Sequence, residues 1–219
     1  MIPIAIWGAS GHALIVTEIL HLTNHYNIVA YVDDITPRSS KETFLGRPIL
    51  CTRQCLLNLF TEGIKHVALA VGNNVARNHI FSWLQDSGFI IVGARHPSSV
   101  VSRHVKIGAG VLLCAGAVVS PGVTLGDGVI INTAATVDHG CTISSFVHIA
   151  PGAKLAGDVF VGQRTFVGMG SVIIEKISIG EDTMIGAGSV VLTDIPSHSV
   201  AYGVPARIRK DKSQQAPLR

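Results

Sequence analysis

Val137-Asp138-His139-Gly140-Cys141 and the nearby His148 are the residues of this chain best suited to chemistry. A histidine changes charge near neutral pH and can serve as a general base. His139 is therefore the candidate proton acceptor. The alternative role is a corner histidine that packs against a neighbouring subunit. No Ser-His-Asp triad and no metal-ligand set accompanies it. Cys141 as a nucleophile is disfavoured, because it is expected to face away from His139.

The surrounding sequence dictates how these residues are carried. Every sixth residue from Ile107 to Val191 is Ile, Leu or Val, fifteen times without a slip. Neither a helix nor a simple strand has that period. It fits a parallel β-helix of hexapeptide repeats, with the branched residue pointing inward and stacking on the next coil. Gly, Ala, Ser and Asp between the hexad positions permit the corners. Three hexads per turn give five coils between residues 97 and about 196. A short coil of this kind leaves apolar walls, which a closed cyclic assembly would cover.

The first part of the chain has another grammar. Apolar runs at Ile2 to Trp7, Ile28 to Val32, Val67 to Val71 and Phe89 to Val92 alternate with helical stretches at Ala13 to Leu22, Gln54 to Phe60 and Val75 to Ser87. Such alternation implies a parallel sheet with helices on its faces. Residues 35 to 48, with Pro37, Ser39, Ser40, Gly46 and Pro48, read as a loop. Three polar clusters end the strands: Ser10-Gly11-His12, Asp33-Asp34 and Gly72-Asn73-Asn74. Ligands of open α/β sheets bind at those ends. The first cluster opens a helix and can offer backbone N–H groups to an anion. Gly8 and Gly11 do not make a GxGxxG pattern, so a dinucleotide is disfavoured. The acidic pair could accept hydrogen bonds from a ribose or a uracil imide. Expected domains are 1–96, a small Rossmann-like unit, 97–208, the β-helix, and 209–219, a polar tail.

Bulk properties narrow the class. Net charge is +3 with the basic residues scattered, which argues against nucleic acid. Four cysteines form no CxxC pair, so neither a disulfide framework nor a zinc site is expected. No signal peptide or membrane span is read from the sequence, and a soluble cytoplasmic protein is the expectation.

In combination, Gly8-Ala9-Ser10-Gly11-His12, Asp33-Asp34, Gly72-Asn73-Asn74, Asn132-Thr133, Val137-Asp138-His139, Val147 to Ala153, Gly157 and Gly203-Val204-Pro205-Ala206 carry a resemblance. Over residues 2 to about 208 the chain resembles the bacterial hexapeptide acyltransferases that N-acetylate nucleotide-linked amino sugars. These are enzymes of the bacillosamine-pathway type, in a group that also includes sialic acid O-acetyltransferase-like proteins. The resemblance implies a left-handed β-helix, a homotrimer, and acetyl-CoA as co-substrate in a groove between neighbouring coils, with no metal. Carried over by position, it implies that His139 is the general base. Ser10, Gly11, His12, Asp33, Asp34 and Gly72 would contact a uridine nucleotide. His148, Gly157, Met169 and Ala187 would line the acetyl-CoA groove. The implied acceptor is the 4-amino group of a UDP-linked 4-amino-4,6-dideoxy-N-acetyl-hexosamine.

One departure stands out. Relatives of the bacillosamine type often carry an acidic residue directly after the histidine, and here that residue is Gly140. A carboxylate there would favour imidazolium and orient the ring. Asp138, Asn132 or a backbone carbonyl are the candidate replacements. Three alternatives stay open: O-acetylation of sialic acid or another sugar hydroxyl, a non-catalytic nucleotide-sugar sensor, and an inter-subunit zinc site using His104, His139 and His148. The spacing of those three histidines is not a multiple of 18, which disfavours the last.

Overall fold

A computed structural model describes residues 1–36 and 42–211 and divides the chain into two units, Met1–Pro97 and one from Ser98 onward. Pro37, Ser39 and Ser40 of the expected loop, and most of the expected tail, lie outside the described residues.

The first unit holds β1 (Ile2–Trp7), α1 (Gly11–Thr23), β2 (Tyr26–Val32), β3 (Thr43–Phe44), β4 (Arg47–Leu50), α2 (Arg53–Thr61), β5 (His66–Leu69), α3 (Asn74–Asp86) and β6 (Ile90–Val92). The sheet order is β3-β4-β2-β1-β5-β6, with β2 and β5 flanking β1 in parallel. Ile4, Ala5, Ile6, Val67 and Ala68 are buried, as expected of strands covered on both faces. Strand order reverses at β1, so the ends of β1, β2 and β5 bound a crevice. The β3–β4 hairpin begins within the stretch expected as a loop and runs two residues past it, to Leu50. Its turn is Leu45-Gly46, both at positive φ, rather than an Asn-Gly or Asp-Gly pair. Phe44 holds it against Tyr31, with ring centroids 4.9 Å apart.

A buried arginine ties the crevice loops. Arg77 of α3 is 1% exposed, and its guanidinium donates to Val71 O and Gly72 O at 3.0 Å and to Asn74 Oδ1 at 2.9 Å. Asn73 caps α3, its Oδ1 accepting from Ala76 N at 2.9 Å. Burial, then the charge of Arg77, holds His12 neutral, with a pKa lowered to about 4.

In the second unit, the two-residue strands from Val100–Val101 to Val172–Ile173 pair in parallel with the strand 18 residues later, and the spacing shortens to 16 at the end, where Met184 meets Val200 and Ile179 meets Ile195. One sheet runs from Val100–Val101 to Val190–Val191, a second from Lys106–Ile107 to Ser178–Ile179, and a third includes Leu112–Leu113, Ile130–Ile131, His148–Ile149, Phe166–Val167 and Met184–Ile185. This is the expected class, an α/β unit followed by a left-handed parallel β-helix. The hexad residues from Leu113 to Val191 are at most 2% exposed. Ile107 is the exception at 48%, because its rung has a neighbour in its sheet on one side only. A second inward ladder precedes each hexad residue by two: Val123, Val129, Ala135, Cys141, Val147 and Ala153, then Thr165, Ser171 and Thr183 further on. The hydroxyls of the polar rungs are satisfied inside the coil, Thr165 Oγ1 donating to Gly180 O at 2.7 Å and Ser171 Oγ to Gly186 O at 2.9 Å. The last strands, Ser199–Gly203 and Ala206–Asp211, form an antiparallel hairpin. The expected tail at 209–219 therefore begins in a strand that runs to Asp211, held by backbone pairing that its polar composition hid.

Two outcomes follow from this packing. Ile149→Ala removes a side chain stacked between Ile131 and Val167, and should cost about 2–5 kcal/mol in chemical denaturation. For His12, the unfolded chain binds a proton near pH 6.5 and the folded chain only near pH 4. Stability present above pH 6.5 is therefore lost as pH falls through that window. Replacing it by His12→Asn should make the urea midpoint fall less between pH 7 and pH 5 than in the parent protein.

Candidate active site

The sheet crevice collects the three polar clusters. Gly8 is required by the fold: its φ is +129, and a Cβ there would lie 2.5 Å from Ala70 O. Gly11 and Gly72 are different, since an added Cβ would meet nothing within 4 Å at either. Their missing side chains leave open space that the fold itself does not need. Ser10 is the N-cap of α1 by backbone, its carbonyl accepting from Ala13 N at 2.9 Å, while its hydroxyl makes no cap bond. The carboxylates are partly committed. Asp33 Oδ1 accepts from Thr36 N at 3.0 Å, and Asp34 Oδ2 accepts from Arg53 Nε at 3.0 Å. The Arg53 guanidinium also lies 5.5 Å from the Trp7 ring and 5.0 Å from the Trp83 ring. Arg53, Arg77 and the two tryptophans were not singled out by sequence reasoning. Arg53 and the tryptophans meet partners far along the chain, whereas Arg77 bonds its own neighbourhood, Val71, Gly72 and Asn74, and is set apart only by its burial.

The β-helix carries the other residues at its corners. Each corner is a two-residue turn stacked on the corner 18 residues away. His139-Gly140 stacks on Gly157-Asp158, with Asp158 N donating to His139 O at 2.8 Å. His139 is exposed, and its ring lies across Gly157: a Cβ there would fall 2.6 Å from His139 Nε2. Only glycine leaves room for the imidazole in this position. Gly157 is buried, yet its N–H has no acceptor among the described residues. An available proton acceptor and an available backbone donor thus sit together. Such a pair can take a proton from a nucleophile and stabilise a developing oxyanion.

Neither of two candidate replacements for the missing acid reaches the ring. Asp138 Oδ1 accepts from the backbone N of His139 at 2.7 Å. Asn132 serves His148 instead, its Nδ2 lying 3.0 Å from His148 Nε2. Asn132 Oδ1 accepts from Thr133 N at 2.8 Å, which fixes the amide so that Nδ2 is the donor. His148 Nε2 then accepts, leaving the ring proton on Nδ1. His148 is 8% exposed and packs edge-on against Phe166, at 5.1 Å. Cys141 points into the core, its Sγ donating to Ala156 O at 3.1 Å, and burial raises its pKa. That geometry suits a packing residue and not a nucleophile.

Met169 and Ala187 occupy stacked corners of a different edge, linked by Gly188 N donating to Met169 O at 2.8 Å. Both are exposed. His148 lies on the strand leading into that edge. The expected groove residues therefore divide between two edges, Gly157 beside the expected base His139 on one, Met169 and Ala187 on the other with His148 leading to it. Six residues of extended chain separate such edges, at most about 20 Å.

Among the described residues, the one trio placed to share a metal is Glu181, Asp182 and His198, not the three histidines considered above. Arg164 already engages these carboxylates, with Nε at 2.9 Å and Nη2 at 2.6 Å from the Asp182 oxygens.

Comparisons with known proteins place the chain in a family. The PglD N-terminal domain family matches residues 3–84. Families described as bacterial transferase hexapeptide and hexapeptide repeat of succinyl-transferase match residues 158–193 and 104–139. The UDP-N-acetylbacillosamine N-acetyltransferase of Bacillus subtilis is 35% identical over 114 residues, 51% of each chain. The match thus spans about half the length of that curated relative. Solved structures extend the likeness to nearly the whole chain. A histidine-to-asparagine variant of perosamine N-acetyltransferase from Caulobacter crescentus, in complex with CoA and GDP-perosamine, has 38% identity and a TM-score of 0.90, covering 95% of this chain and 97% of that one. The acetyltransferase domain of PglB from Neisseria gonorrhoeae, in complex with acetyl coenzyme A, has 38% identity and a TM-score of 0.86, covering 94% and 98%. No helix among the described residues is long and apolar enough to cross a membrane. The chain belongs to the hexapeptide-repeat nucleotide-amino-sugar N-acetyltransferases.

Proposed function

We propose that the protein transfers the acetyl group of acetyl-CoA to the 4-amino group of a nucleotide-linked 4-amino-4,6-dideoxy sugar, with His139 as general base. The observation that carries this reading is the exposed His139 imidazole lying across Gly157, whose N–H is uncommitted. The acceptor nitrogen attacks the thioester carbonyl while His139 takes its proton. The carbonyl oxygen becomes an oxyanion and accepts from Gly157 N–H. The C–S bond then breaks, and CoA thiolate leaves to be protonated by the imidazolium or by solvent. Direct transfer needs no acyl-enzyme, in keeping with the inward, hydrogen-bonded Cys141.

The crevice of the first unit is assigned to the nucleotide. Gly11 and Gly72 give backbone access, Ser10 and the start of α1 offer donors to a phosphate, and Asp34 with Arg53 offers an acceptor beside a donor to the base. His12, Asp33 and the Arg77-tied loop shape its walls. A uracil presents an N–H between two carbonyls and fits such a pair, so a UDP-linked sugar is the first acceptor to test. The acetyl-CoA groove is assigned to His148, Gly157, Met169 and Ala187. Because these lie on two edges of one coil, the groove is best completed by a second copy bringing the opposite edge. A homotrimer closes that arrangement. The need for acetyl-CoA and the four free thiols suit a cytoplasmic location.

Thiol release from acetyl-CoA tests the reading, with UDP-, GDP- and dTDP-linked 4-amino-4,6-dideoxy sugars and free sialic acid as acceptors. Turnover with a nucleotide-linked amine and not with sialic acid is expected. Turnover confined to sialic acid would move the activity to a hydroxyl, and silence across the panel would leave a binding protein. His139→Ala should lower kcat by about 10²–10⁴-fold and leave the melting temperature near that of the parent. Gly157→Ala should displace the ring without straining the backbone, since φ at Gly157 is not positive, and should cost about 10²-fold in kcat. Retained activity in Gly157→Ala would show that the ring's place over this glycine is not needed.

A further inference from the structure

Gly140 and Asp158 are the second residues of two stacked corners, and one occupies the space the other leaves. A Cβ built on Gly140 would collide with Asp158 Oδ1 and lie 3.2 Å from its Cγ. The two corners cross: the His139 ring covers Gly157, and the Asp158 carboxylate covers Gly140. Both second residues adopt the left-handed conformation, with φ of 69 at Gly140 and 59 at Asp158. Aspartate is among the side chains that tolerate it. We propose that Asp158 supplies, from the next coil, the carboxylate that orients and supports His139 as it takes the acceptor's proton. The inference rests on His139 being the base.

The other groups along this edge are accounted for. Pro121 and Gly122, on the preceding corner, carry no charge. One oxygen of Asp138 is held by the His139 backbone. Cys141 is buried, and burial favours its neutral thiol. Glu175 and Lys176 lie a further coil away, Lys176 N donating to Gly157 O at 3.0 Å. Asp158 is exposed, and its carboxylate makes no hydrogen bond or ion pair among the described residues. It is therefore an uncommitted acid on the corner stacked directly against that of the base. In open solvent, water screens such a pair to little effect. A bound acceptor and acetyl-CoA would cover the corner and displace that water, which strengthens the interaction when the proton moves. The acceptor's proton goes to His139 and then to CoA thiolate or solvent. Asp158 stays ionised throughout, so it acts through His139 and touches no reacting atom.

The test is the pH dependence of kcat, which reports the substrate complex, in Asp158→Asn and in the relocated pair Gly140→Asp with Asp158→Gly. Removing the carboxylate lowers the affinity of His139 for its proton. The acidic limb of kcat should therefore move to lower pH by about half a unit or more, and the plateau should fall about tenfold. KM for acetyl-CoA should hold. The relocated pair should recover most of both, because Asp158→Gly vacates the space a residue-140 side chain needs. An unmoved limb and unchanged plateau in Asp158→Asn overturn the proposal. So does a lower plateau with an unmoved limb that relocation does not relieve, which marks a packing role. His139→Ala measured alongside separates the two readings: if it retains turnover, the general-base reading fails independently of Asp158.

Discussion

Parallel backbone pairing at a spacing of 18 residues is the constraint on which the coil and its candidate site depend. Each rung donates its amides to the rung beside it, so every outward group has a fixed neighbour one coil away. His139 is placed by Gly157 and Asp158 rather than by residues adjacent in sequence. The energy that enforces this register lies in the stacked Ile, Leu and Val of the interior. A slip by one residue would turn those side chains outward. The site is exposed and polar, yet its geometry is set by the most apolar part of the chain.

Absent side chains define the site as much as present ones. At Gly8 the fold demands glycine, through positive φ and the nearness of Ala70. At Gly11, Gly72 and Gly157 the backbone does not demand it. Gly11 and Gly72 leave room where a nucleotide would approach, and Gly157 leaves room for the imidazole. The arginines complement this. Arg77 holds the crevice loop from beneath by donating to its carbonyls, while Arg53 stands at the surface beside Asp34.

The coil was legible because its signal is periodic and purely apolar. His139 was legible because histidine among small and branched residues is chemically out of place. The alternation of strands and helices in the first unit was read correctly in kind, with ends shifted by a residue or two where capping decides them. The β3–β4 hairpin was not read, since Leu45-Gly46 lacks the usual turn chemistry and Phe44 earns its place through Tyr31. Asn132 was noticed, but its partner, His148, lies sixteen residues away and depends on which edge each occupies. Gly140 read as a missing acid, and only the stacked corners show a carboxylate in that space.

We propose that residues on two edges of the coil, His139 on one and His148 leading to the other, form one reaction site when copies assemble. Co-expression of His139→Ala and His148→Ala chains, once each is shown to have lost turnover alone, tests this most directly through acetyl transfer by the mixed assemblies. If adjacent copies share the site, random mixing creates intact pairs at some interfaces and restores about one quarter of parental activity. Mixed assemblies that form, as shown by native mass spectrometry of differently tagged chains, and yet stay inactive would contradict the account and place both histidines' roles within a single chain.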